Sequence, residues 1–160
     1  MSRKPGKHLA QLNIGRTVDD LDSEQLAPFV AALDLVNGLA ERAPGFVWRF
    51  QDDSSDGAID FKPTDDPRLI INFGVWETPD ALADFVWNTI HKQFYNRRAN
   101  WFEPPRQPMF VMWWIDIGHQ PTVEEAFERL NYLRAHGPSD HAFGWESLPQ
   151  AEFLKSQRCA

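Results

Sequence analysis

The chain has 160 residues, 42% of them hydrophobic and 24% charged, a balance that fits one globular domain with its own core. A formal net charge of −7 leaves no basic face for nucleic-acid phosphates; Arg97, Arg98 and Arg106 are the one basic concentration. The single cysteine, Cys159, has no internal partner, the start MSRKPGKHLAQLNIG lacks the apolar run of a signal peptide, and MFVMWWI at 109–115 is too short for a bilayer, so a cytoplasmic protein is expected with no membrane or nucleic-acid partner.

HLAQLNIG (8–15) alternates, with Leu12 and Ile14 on one face and Gln11 and Asn13 on the other, and is predicted as a strand. LAPFVAALDLVNGLAER (26–42) repeats apolar residues at helical spacing through Leu26, Val30, Leu33, Val36 and Ala40, with Pro28 in its first turn. It stops before the breaker APG at 43–45. FVWRFQ (46–51) and RLIINFGVWE (68–77) are two further strands, joined antiparallel by a polar loop. Thr78 caps the next helix, with Pro79 at its first position and Asp80 in its first turn, and the apolar spacing carries it to the region of Arg98. Prolines 104, 105 and 108 separate it from a fourth strand, MFVMWWIDI (109–117). A final helix, PTVEEAFERLNYLRAHGP (121–138), opens on the pair Thr122 and Glu125 and closes on Gly137 and Pro138. Phe143 and Trp145 in the tail are expected to dock on the body, and the last residues to fray.

This order predicts an α+β fold over residues 1–160: a ferredoxin-like βαββαβ sandwich with an extra C-terminal helix. Helices on one face alone would leave the other open. Strand 109–117 is apolar on both sides, so the open face is expected to be covered by a second copy, giving a homodimer.

Polar residues on that open face would line a pocket for a small hydrophobic or aromatic ligand: Gln11, Asn13, Arg49 and Asn72, with Trp76 beside them. Trp114 of the fourth strand joins them if the register holds, since a slip of one residue exchanges Trp113 for Trp114. At helical spacing from the predicted helix onward, Leu82, Val86, Ile90, Phe94 and Trp101 cluster on one face, a stripe expected to meet the sheet. His91 lies about a quarter turn from the centre of the stripe, flanked by Trp87 and Arg98. A histidine there can reach a pocket rim as a base or a ligand, and equally can be an idle half-exposed side chain.

The stretches LAQLNIGR (9–16), APGFVWR (43–49), VWETPDAL (75–82), HKQFYNRRANWF (91–102), MWWIDIGHQPTVEEAFERL (112–130) and HGPSDHAF (136–143) resemble the dimeric α/β-barrel superfamily. That superfamily includes antibiotic-biosynthesis monooxygenases and haem-degrading monooxygenases. Within it the chain is most similar to a bacterial family known as a domain of unknown function. The resemblance implies two mechanisms. In a cofactorless monooxygenase-like oxidation of an activated phenol, His91 would take the phenol proton, Arg49 or Asn13 would hold the oxyanion, and Trp76 would line the ring. In a haem protein, His91 would be the axial ligand, near Asn13. The tryptophan that haem-degrading members carry is replaced here by Phe85, with Trp87 two residues on. A non-catalytic dimeric binding module is the third reading.

Other motifs carry less. DDSSDGAID (52–60) mimics the opening of a calcium loop, but Pro63 stands where the bidentate glutamate belongs. His8, His119, His136 and His141 form no short ligand pair, and no metal site is expected unless haem is bound. No Gly-rich phosphate loop, nucleophile elbow or CxxC occurs.

Overall fold

A computed structural model describes residues 4–51, 66–88 and 97–148. Its elements in chain order are β1 (Lys7–Arg16), α1 (Ala27–Glu41), β2 (Phe46–Arg49), β3 (Leu69–Trp76), α2 (Pro79–Asn88), β4 (Phe110–Asp116) and α3 (Val123–His136). The strands form one antiparallel sheet in the order β2-β3-β1-β4, so each β-α-β unit skips over a neighbour, as in a ferredoxin-like sandwich. The fold is α+β as expected from the order of elements.

Helix ends follow local chemistry. Thr78 Oγ1 accepts the Ala81 N–H at 3.1 Å at the start of α2. The longer helix expected to reach Arg98 is described only to Asn88; Arg98–Asn100 form a short 3-10 turn. Thr122 Oγ1 accepts the Glu125 N–H at 3.1 Å at the start of α3. The reciprocal half of the capping box is not made, because the Glu125 carboxylate is taken by the Trp113 indole N–H and His119 Nε2, each at 2.8 Å. Thr122→Ala should therefore cost about 1 kcal/mol, the usual worth of an N-cap, read as a lower urea midpoint at unchanged slope.

The two faces of the sheet are both covered, which departs from the sequence-based expectation. Ala10, Leu12, Ile14, Ile71, Phe73, Val75, Val111, Trp113 and Ile115 pack against Ala126, Leu130 and Leu133 of α3. Leu9, Trp76 and Met112 on the opposite face pack with Ala40, Leu82 and Phe85 of α1 and α2. The apolar stripe of α3 covers one face and α1 with α2 the other, so the cover for which a second copy was invoked is supplied within the chain. Val111 and Trp113 are fully buried there, so among the described residues the premise for the homodimer, an uncovered apolar face, is not met.

The tail closes the edge next to β4. Phe143 exchanges both backbone hydrogen bonds with Met112, at 2.7 and 3.0 Å, and Trp145 stacks on Phe110 with centroids 5.8 Å apart. At the opposite edge, β2 bulges between Phe46 and Trp48 and turns Val47 outward.

A polar band on the helix-facing side of the sheet

Directly opposed residues in a ladder share a face, so the registers sort the side chains into rows. Leu9 lies between Trp76 and Trp114; Gln11 between Gly74 and Met112; Asn13 between Asn72 and Phe110. Arg49 of β2 stands opposite Gly74 and extends the middle row. The first row is apolar. The next two form a polar band, Arg49, Gln11, Asn72 and Asn13.

This band lies under the α1/α2 side, on the face of Leu9 and Met112. The placement of these residues on an open sheet face is thereby corrected. The reason is that α1 and α2 take the face of Leu9, while α3 takes the alternate one. The same alternation settles the tryptophan pair: Trp113 points into the α3 core and Trp114 to the α1/α2 side.

Within the band, Gln11 is buried and its Nε2 donates to Asn72 Oδ1 at 2.8 Å. Asn13 and Asn72 are exposed, although the neighbouring apolar row and Met112 are covered. Aromatics border this opening. Phe102 lies against Gly15, the next residue of β1 on this face, and Phe29 of α1 meets Phe102 and Trp101 at 5.1 and 5.6 Å. The stacked Phe110 and Trp145 stand beside Asn13.

Arg49 Nε donates to Glu41 Oε2 of α1 at 2.6 Å, and its side chain is 17% exposed. Gly74 allows this approach: a Cβ there would stand 2.8 Å from the Trp48 carbonyl oxygen and 3.5 Å from Arg49 Cα. Arg49 Nη1 and Asn37 Nδ2 of α1 are buried with no hydrogen-bond acceptor among the described residues.

The structure therefore brings Asn13, Arg49 and Asn72 into one band. It does not bring Trp76 to its opening: Trp76 is buried in the core, stacked on Phe85 at 5.4 Å and edge-on to Phe46 at 5.5 Å. Trp87 is buried on α2, and Trp114 is half-buried against Phe143 at 6.1 Å. His91, the loop 52–60 and Cys159 lie outside the described residues. Among the described residues no cluster of three or more metal-ligating side chains occurs. No described helix is long and apolar enough to cross a membrane.

Sequence reasoning missed Asn37, Phe29 and Phe102, and it put Trp101 on a helical stripe, whereas Trp101 follows a short 3-10 turn and is buried. Asn37 had a signal: it sits four residues after Leu33 and three before Ala40, inside the apolar stripe of α1. Phe102 had none, because its position depends on a connection without period.

No curated protein matches the chain. Among solved structures it is similar to a protein of unknown function from Nitrosomonas europaea, with 13% identity, 74% of this chain and 97% of that one covered, and a TM-score of 0.47. It is also similar to a protein from the same organism named, by inference, an antibiotic biosynthesis monooxygenase, with 14% identity, 76% and 99% covered, and a TM-score of 0.45. A family model matches residues 8–159, nearly the whole sequence, and the chain belongs to the family described as Domain of unknown function (DUF3291).

Proposed function

We propose that the protein binds a small aromatic molecule over the polar band, between the Phe29–Trp101–Phe102 group and the Phe110–Trp145 stack. The observation that carries this reading is the pair Asn13 and Asn72, two amides left open on a sheet face that is otherwise covered. Solvent-exposed amides bordered by aromatic rings suit a planar ligand with one or two polar substituents.

The reaction that best fits such a ligand is monooxygenase-like and cofactorless. An activated phenol or anthrone would give up a proton and react with dioxygen, gaining one oxygen atom as a carbonyl while the other leaves as water; the substrate itself supplies all four electrons that reduce dioxygen. His91 is the proposed base, and Asn13 would steady the oxyanion. Haem would need His91 as its iron ligand, and that residue lies outside the described ones. At the place where haem-degrading members carry a tryptophan, Phe85 is a buried core residue stacked on Trp76.

The test uses dithranol, an oxidisable anthrone, with tryptophan fluorescence for binding and an oxygen electrode for turnover. Saturable quenching, weakened at least tenfold in Asn13→Ala/Asn72→Ala, and oxygen uptake above the buffer blank that falls in His91→Ala, are the expected results. Saturable binding without uptake would leave a binding module. Absence of both would remove the aromatic ligand.

A further inference from the structure

The polar band continues under α1 into two donors that the described residues leave unused. Asn37 is 7% exposed, and its amide nitrogen meets no acceptor among the described residues. Arg49 spends Nε on Glu41, while its buried Nη1 likewise meets none. Buried donors are almost always hydrogen-bonded, and leaving one unmade costs the full desolvation of the group. Two such donors beside one ion pair are suited to an acceptor that a ligand brings.

Asn37 and Glu41 are four residues apart, so both project from the same side of α1, one turn from each other. Glu41 pins the Arg49 guanidinium to that side. Arg49 stands opposite Gly74, two residues along β3 from Asn72 at the opening. A ligand entering over Asn13 and Asn72 would reach these donors first on moving towards β2.

Charge selects the kind of acceptor. Glu41 already neutralises Arg49, so the site offers N–H groups without a net positive charge. A carboxylate or phosphate would bring an unbalanced charge into a region where charge is costly. A neutral carbonyl oxygen has two lone pairs and brings none.

We infer that Asn37 and Arg49 form a two-donor subsite for the carbonyl oxygen of an aromatic ketone, at the β2 end of the polar band. This inference rests on the aromatic-ligand reading above and names the substituent that the ligand carries. Asn37 is a binding residue here, and Glu41 a positioning residue that holds Arg49.

A matched pair of probes tests it: 1-tetralone, a bicyclic ketone, and tetralin, the same skeleton without the oxygen, titrated by tryptophan fluorescence. In the wild type the ketone should bind at least tenfold more tightly. In Asn37→Leu and in Arg49→Met that preference should fall to near parity, with tetralin affinity unchanged. Equal binding of the two probes to the wild type, or a preference that survives Asn37→Leu, overturns the subsite while leaving the aromatic site standing. Binding of neither probe overturns both. Thermal unfolding gives an independent arm. An orphan donor replaced by an apolar isostere should leave Tm unchanged or raised, whereas a Tm lowered by several degrees would assign Asn37 a structural bond and end the proposal.

Discussion

Trp113→Ala should lower the unfolding free energy by about 3–5 kcal/mol, the range for truncating a large buried aromatic side chain. Trp113 is 0% exposed, stacks on Phe73 at an interplanar angle of 27° with centroids 6.1 Å apart, and sits between the sheet and α3. Its indole N–H donates to Glu125 at 2.8 Å, which ties the first turn of α3 to β4. Against a typical total of about 5–15 kcal/mol, such a loss leaves a marginal domain. Trp113→Phe keeps a ring in the core and removes the donor. Glu125 remains 21% exposed and can take water, so this variant should lose far less than the alanine. Urea unfolding followed by far-UV circular dichroism separates the two. A loss below about 1 kcal/mol for Trp113→Ala would mean that α3 does not seal this face. The same experiment addresses assembly. If α3 covers the face within one chain, the midpoint should not move with protein concentration, whereas cover by a second copy would raise it with concentration.

The layout of the fold was legible because most elements carry their own period and punctuation. The apolar spacing of 26–42, the alternation of 8–15 and the Thr-Pro-Asp start at 78–80 each depend on neighbours in sequence, and β1, α1 and α2 begin close to where these signals place them. The side of the sheet that each helix takes is a different kind of fact. Alternation in β1 separates Leu12 from Asn13 but does not say which of the two meets α1. That depends on the handedness of the connections and on the extra helix α3 competing for one face. The doubly apolar β4 was the right clue with a second solution: a strand buried on both sides needs two covers, and the chain supplies both. The polar band was read in part for the same reason. Asn13, Asn72 and Arg49 stand out as polar residues in apolar strands, so their grouping followed from pairing. Trp76 and Trp87 looked equally exceptional by type, yet burial makes them core. Asn37 was hidden because a single polar residue in a helical stripe looks like noise until its amide proves to be buried.

Gly45→Ala should be the costliest change among the glycines, about 2–5 kcal/mol, because two independent penalties meet at one atom. Gly45 has φ of +86°, a conformation that costs an L-residue about 1–2 kcal/mol. A Cβ built there would also stand 2.4 Å from the Cβ of Ala81, closer than any real contact, and overpacking of that kind adds about 1–3 kcal/mol. Neither penalty is easily relaxed. The Gly45 carbonyl accepts the Glu77 N–H at 2.7 Å, so the turn between α1 and β2 is fastened to the end of β3, and Ala81 lies in the first turn of α2. A double-mutant cycle divides the two terms. Ala81→Gly removes the opposing Cβ, and in that background Gly45→Ala should retain only the backbone cost of about 1–2 kcal/mol. If the cost were the same in both backgrounds, the close approach of this turn to α2 would be wrong. The consequence reaches the polar band, since the turn fixes where β2 begins and Arg49 lies four residues on, opposite Gly74 and against Glu41. A shift of the turn that left the protein folded should therefore appear as weaker binding of a carbonyl-bearing ligand, with little change for its hydrocarbon counterpart.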